Sequence, residues 1–167
     1  MSDNEQSTGP YWAGVIATLL SVAVIVLNVA VDVSEPGWLT GIGLTFLALA
    51  VMFALPPFFH LKRFGKPDEG DAYFSTTRVV DIGVYSVVRH PQYIGYSLLL
   101  LGFACLDPHW SLIVFAAGAL FFFYLQAIFE ERYCSMHLGS DYDDYKNRTP
   151  RFNFVLGLFR LAKARSR

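Results

Sequence analysis

From Tyr11 to Val31 there is one uninterrupted run of uncharged residues, and about 20 such residues are what a helix needs to cross the hydrocarbon of a bilayer. Three more apolar stretches follow: Trp38–Leu55, Tyr93–Leu106 and Trp110–Phe129. Pro56-Pro57 is expected to break or kink the end of the second, because proline has no N–H to give to the helix ladder. The third is short for a crossing by itself, and the fourth is full length. Charged residues are 16% of the 167 and the mean hydropathy is +0.39, whereas a soluble domain carries about a quarter charged residues. The pattern predicts an all-α, polytopic membrane protein with about four transmembrane helices, a C-terminal helical hairpin and a cytoplasmic tail. A net charge of −1 argues against a nucleic-acid partner.

Charge placement sets the expected orientation. All 13 Lys and Arg residues fall within 61–92 and 130–167, and the loops 32–37 and 107–109 hold none. The positive-inside rule then makes both termini cytoplasmic. The leader MSDNEQSTGP lacks the positive n-region of a signal peptide, so the first stretch is expected to be a retained helix. Cys105 and Cys134 lie at opposite ends of the spans and are expected to stay unpaired.

Residues 1–60 read as a transmembrane hairpin closed by the turn-rich DVSEPG, and 61–167 as a core of loop, helical hairpin and tail. HLKRFGKPDEGDAYFSTTR reads as loop with short interfacial pieces. Pro91 suits the first turn of the third helix, and Asp107-Pro108 makes a tight connection to the fourth. That helix is expected to continue past Phe129 to Leu138, with Gly139 as its cap. NFVLGLFRLAKARSR has the pattern of a short amphipathic surface helix. Gly41–Gly43 and Ala116–Ala119 offer small-residue faces, for contacts inside the bundle or between copies.

Familiar soluble sites are missing from the sequence. There is no GxGxxG opening a helix, no GxxxxGK[ST], no HExxH, no CxxC and no GxSxG, and the four histidines lack zinc-ligand spacing. Two polar clusters stand out instead. The first is Gly83-x-Tyr85-x-x-x-Arg89-His90-Pro91-x-Tyr93-x-Gly95, which reads either as an interfacial anchor or as a wall that a ligand approaches. The second is Gln126-x-x-x-Glu130-Glu131, followed by Tyr142, Tyr145, Pro150 and Arg151. Two adjacent carboxylates toward the negative end of a helix repel each other. They are either a solvated helix end relieved by Arg132 and Arg89, or a site for something positive.

Together GvYsvvRHPqYiG and EER…hLGsdYddYknrTPRF, separated by a short helical hairpin, resemble the isoprenylcysteine carboxyl methyltransferase family. That family stands within the wider group of membrane methyltransferases that includes the phospholipid N-methyltransferases. The likeness covers about Thr76 to Phe154. It implies an all-helical membrane enzyme that uses S-adenosylmethionine without a soluble nucleotide-binding domain, and a lipophilic acceptor or membrane lipid reaching it between helices. By the same likeness, Tyr85, His90, Pro91, Gln92 and Tyr93 are cofactor contacts and Thr77, Arg78, Val79 and Val80 line the pocket. Glu130 is the cofactor carboxylate, with Glu131 supporting it, and no metal is implied. Chemically, Glu130 suits an ammonium or ribose hydroxyls, His90 and nearby backbone N–H groups suit acceptor oxygens, and tyrosine rings suit adenine. An antiparallel third and fourth helix returns His90 and Glu130 to one side of the membrane.

Gln126 departs from the likeness, because the prenylcysteine enzymes carry an arginine there to pair with an acceptor carboxylate. Arg89 is the candidate substitute, and an amine, a thiol or another small lipophile stays open as the acceptor. A sterol-reductase-like enzyme using NADPH, whose phosphates favour a more basic site than two glutamates, and a non-catalytic membrane scaffold are the rival readings.

Overall fold

A computed structural model describes residues 11–30, 37–66 and 76–166. The polar leader, most of DVSEPG and the middle of the 60–78 loop lie outside the described residues. Within them the chain forms α1 (Trp12–Ala30), α2 (Trp38–Phe64), a 3-10 turn (Gly83–Ser86), α3 (Pro91–Leu106), α4 (Trp110–Leu138), α5 (Ser140–Arg148) and α6 (Phe154–Arg165), with no strand among the described residues. Helices α1, α2 and α4 are long and apolar enough to cross a membrane, with mean hydropathies of 2.2, 2.1 and 2.3, and α3 is a shorter apolar helix of 16 residues. The fold is that of an all-α integral membrane protein. Trp38 and Trp110, which open α2 and α4, are exposed, as interfacial aromatic rings are.

Pro56-Pro57 does not end α2, which runs on to Phe64. Each proline withholds only its own N–H, whereas stopping the helix inside lipid would strip several more backbone groups of partners. Beyond the prolines the ladder resumes. His60 Nδ1 bonds the Pro56 carbonyl at 2.8 Å, and the Gly65 N–H donates to Leu61 at 2.8 Å to close the end.

The described residues form two compact units, one within 1–50 and 96–133 and the other within 51–95 and 134–167. In the first unit, α1 runs antiparallel to α4. Trp12 meets Phe122 and Phe129 at ring-centroid distances of 6.2 and 5.7 Å, and Leu20 reaches Gly118 farther along. α2 touches α3 through glycine, since a Cβ on Gly43 would stand 2.9 Å from the Gly102 carbonyl oxygen. Gly43 and the buried Ala116 and Ala119 are therefore internal contacts. The connection 107–109 folds α3 back on α4, with Tyr96 against Phe123 at 5.3 Å. Neither Cys105 nor Cys134 is in a disulfide.

In the second unit, Gly139 ends α4 and starts α5 at φ +60° and ψ −139°, a conformation only glycine adopts without strain. In SDYDDYKNR only Tyr142 and Tyr145, three residues apart, are buried. Asp141 and Asp143 stand in the first turn of α5 and Lys146 and Arg148 in the last, each sign at the pole of the helix dipole that favours it. Lys146 Nζ bonds Asp143 at 2.9 Å and Ser135 at 2.8 Å, tying α5 to the last turns of α4. The Lys146 ammonium, and then the Ser135 hydroxyl, hold the Asp143 carboxyl below the usual aspartate range.

Candidate functional site

Between the 3-10 turn Gly83–Ser86 and Pro91 the chain has no helix, so the Arg89 and His90 N–H groups need partners from elsewhere. The tail supplies them. The Arg89 N–H donates to the Pro150 carbonyl at 3.0 Å and the His90 N–H to the Arg151 carbonyl at 3.3 Å. These two donors are thereby spent on the tail and are not among the backbone N–H groups left for a ligand's acceptor oxygens. The His90 imidazole, only 8% exposed, stacks on Tyr93 at 5.5 Å and tilts against Phe152 at 5.7 Å.

Two further fastenings hold this segment. The buried Tyr145 hydroxyl donates to the Tyr85 carbonyl at 2.7 Å, across 60 residues of sequence. Burial pushes the Tyr145 phenol well above the ordinary tyrosine range, and the positive charge of Arg89 only partly offsets it. Gly157 of α6 presses its backbone on Val87. A Cβ there would run into the Val87 carbonyl oxygen and stand 2.8 Å from its carbon.

On α4, in the first unit, Gln126 is 3% exposed and Glu131 6%, and Glu130 is half-buried. The Gln126 amide oxygen accepts from the Gly14 N–H at 2.9 Å. Because the Tyr11 carbonyl accepts the first bond of α1 from Val15, Gly14 carries one of the orphan N–H groups of that helix start. The Gln126 amide nitrogen donates to Glu130 at 3.4 Å. One side chain thus caps α1 and touches the first of the paired glutamates.

The structure gathers Tyr85, Arg89, His90, Pro91, Gln92 and Tyr93 on one short run of the second unit, and Gln126, Glu130 and Glu131 on one stretch of α4. Thr77 turns back on the chain, its N–H to Gly65 at 3.1 Å and its hydroxyl to Lys66 at 2.8 Å. Arg78 is exposed, Val79 half-buried and Val80 buried. Sequence reasoning passed over Phe152, Gly157 and Gly14. The isolated glycines, each near the start of an otherwise apolar helix, were the available signal. Chemically, one run offers buried aromatic faces around an imidazole, and the other offers carboxylates beside a neutral amide. Among the described residues no three His, Cys, Asp or Glu side chains lie together as a metal site.

Comparison with known proteins agrees with the resemblance read from the motifs. The chain is 27% identical over 146 residues to protein-S-isoprenylcysteine O-methyltransferase B of Arabidopsis thaliana, covering 81% of this chain and 70% of that protein. It is 32% identical over 73 residues to the protein-S-isoprenylcysteine O-methyltransferase of Schizosaccharomyces pombe, covering 43% of this chain and 31% of that one. It is also 32% identical over 85 residues to a nickel-cobalt-cadmium resistance protein of Alcaligenes xylosoxydans xylosoxydans, covering 51% of this chain and 40% of that one. The last two matches span less than half of the relative's own length. No solved structure matches the chain significantly. The family model for phospholipid methyltransferases matches residues 38–141, which take in α2, the Arg89-His90 segment, α3, α4 and both glutamates. With three of the four apolar helices, the Gly83–Gly95 run and Gln126 to Glu131 inside that match, the chain belongs to the phospholipid methyltransferase family.

Proposed function

We propose that this chain is a multi-pass membrane methyltransferase that transfers a methyl group from S-adenosylmethionine to a lipophilic acceptor. In this reading both termini are cytoplasmic, residues 1–60 form an N-terminal hairpin and residues 61–167 the methyltransferase core. The observation that carries it is the fastening of the Arg89-His90 backbone by the tail, with His90 buried against Tyr93 and Phe152. An anchor at a membrane surface needs no such pre-organisation, whereas a cofactor site depends on it. When bound, S-adenosylmethionine offers a methyl on a sulfonium whose charge is lost on transfer.

The residues fit that molecule. His90, Tyr93 and Tyr85 supply aromatic faces for adenine, with Pro91 and Gln92 beside them, and Thr77–Val80 line the approach. Glu130 holds the ammonium or ribose hydroxyls, and Glu131 supports it from a buried position. The Gln126 amide donates to Glu130, a contact that orients the carboxylate. No protein nucleophile is required, because alignment of donor and acceptor away from water supplies the catalysis. Arg89 and Gln126 are assigned to the acceptor side. With a neutral amide at 126, already bonded to Gly14, a carboxylate acceptor such as a prenylcysteine is disfavoured relative to a lipid amine or thiol.

Calorimetry in detergent with S-adenosylhomocysteine tests the reading, with NADPH titrated in parallel. Glu130→Gln and His90→Ala are each expected to lose about 2–4 kcal/mol of binding, roughly 30- to 1000-fold, while remaining monodisperse. Unchanged affinity in both variants, or binding of NADPH instead, refutes it.

A further inference from the structure

Helix α6 has a face that no described residue of its own unit covers. Its inner side is Phe154, Gly157 and Leu161, with Gly157 buried on Val87. At about 100° per residue, Val155, Leu158, Phe159 and Ala162 share one arc of about 100°, pointing away from Gly157. Val155 is 77%, Leu158 46% and Phe159 68% exposed. Arg160 lies outside this arc, and its guanidinium donates to the Asn147 and Arg148 carbonyls at 3.5 and 3.4 Å, at the end of the polar helix α5. The helix is therefore sided: α5 on one flank, uncovered aliphatic and aromatic side chains on the other.

Its level along α2 indicates what meets that second flank. Phe154, the first residue of α6, packs edge-on against Phe53 at 5.1 Å. Phe53 precedes Lys62, the first cation of α2, by nine residues, or about 13 Å along a helix axis. α6 thus starts on the apolar side of the cations that mark the end of the span, in a stretch of α2 where Leu55 and Phe59 are exposed. Lys163, at the edge of the apolar arc, is exposed and long enough to reach head groups while its stem stays in the apolar layer.

We propose that α6 is an interfacial membrane helix, its Val155–Leu158–Phe159 face immersed in the acyl chains of the leaflet nearest Lys62 and Arg63, with α5 held on the water side. Because Gly157 seats α6 on Val87, the lipid surface then fixes the height of the segment that leads into Arg89-His90. This inference stands whether or not the chain transfers a methyl group.

Collisional accessibility of nitroxide labels tests it. The full chain carrying Cys105→Ala and Cys134→Ser is reconstituted in vesicles of phosphatidylcholine with a minor fraction of phosphatidylglycerol. Val155→Cys, Phe159→Cys and, as the aqueous control, Asp144→Cys are labelled one at a time. All three native side chains are exposed, so the replacements remove little packing. At 155 and 159 collisions with a water-soluble nickel chelate are expected to fall about tenfold below those at 144, while oxygen collisions rise, as for a helix buried ~5–10 Å into the head-group boundary. Nickel accessibility at 155 and 159 equal to that at 144 overturns the proposal. Shielding from both reagents also overturns it, because the face would then be covered by protein.

Discussion

Tyr145→Phe removes one oxygen atom and keeps the ring, so it isolates the bond from the Tyr145 hydroxyl to the Tyr85 carbonyl at 2.7 Å. The edge contact of the ring with Tyr142, at 5.8 Å, is retained. A buried hydrogen bond of this kind is worth about 1–2 kcal/mol to the folded state. If the bond also holds the segment ready for the cofactor, affinity for S-adenosylhomocysteine falls by about 5- to 30-fold. The ionisation of the phenol gives an independent check. In the folded protein burial raises its pKa, whereas an unfolded tyrosine titrates near ~10. Below that value both states keep the proton and the contribution is fully present. Above it the unfolded chain ionises first, and stability drains away at about 1.4 kcal/mol per pH unit until the folded phenol also titrates. The phenylalanine variant lacks this loss, so the gap between the two proteins should close by about pH 11. Thermal unfolding in detergent from pH 8 upward, paired with calorimetry at neutral pH, measures both effects. A variant as stable as the wild type, or a gap that stays constant through pH 11, refutes the reasoning.

Gln126→Met keeps the length of the side chain but leaves the Gly14 N–H without its acceptor; it should cost about 1 kcal/mol and speed hydrogen exchange in the first turn of α1. Gln126→Arg loses the same acceptor, so methylation of a prenylcysteine carboxylate should improve relative to other acceptors only alongside a lower unfolding midpoint; an unchanged midpoint contradicts the α1 contact. Gly157→Ala should destabilise by about 1–3 kcal/mol and weaken S-adenosylhomocysteine binding, whereas alanine at the uncrowded Gly41 should do neither. In sealed vesicles of known orientation, an impermeant thiol reagent should label Cys134 only from the cytoplasmic face, with Cys134→Ser as the control for Cys105; labelling from the far face alone overturns the topology.

The helices were legible wherever the solvent decides them. Charge-free runs, Pro91 at the start of α3, the tight 107–109 connection and Gly139 after α4 all follow from the needs of a backbone in lipid or at its edge. Of a break or a kink at Pro56-Pro57, the break was the misleading expectation for the same reason, since a rule learned in water undervalues keeping the ladder intact in hydrocarbon. Helix α5 was not foreseen as a helix, because its support is the charge order of Asp141, Asp143, Lys146 and Arg148 rather than an apolar stripe. Around the candidate site, polar residues set against apolar neighbours drew attention to Arg89, His90, Glu130 and Glu131. What holds them did not show, because the partners are remote: Tyr145 lies 60 residues from Tyr85 and Gln126 lies 112 from Gly14. A glycine admitting another backbone looks in sequence like a glycine that merely weakens a helix.

The remoteness of these fastenings also sets an order of events during synthesis. Tyr85, Arg89 and His90 leave the ribosome before α3 and α4 do, and their partners Tyr145, Pro150 and Arg151 follow some sixty residues later. At about 5–20 residues per second, that interval is roughly 3–12 s. Throughout it the two backbone N–H groups and the Tyr85 carbonyl can be satisfied only by water, at the surface of a membrane that is still receiving the helical hairpin. The segment therefore acquires its final shape late, after the spans that flank it are in place. A nascent chain from which α4 but not Tyr145 has emerged would hold its spans and still be unshaped at this one point, so the shape of the segment dates from the emergence of the tail and not from insertion.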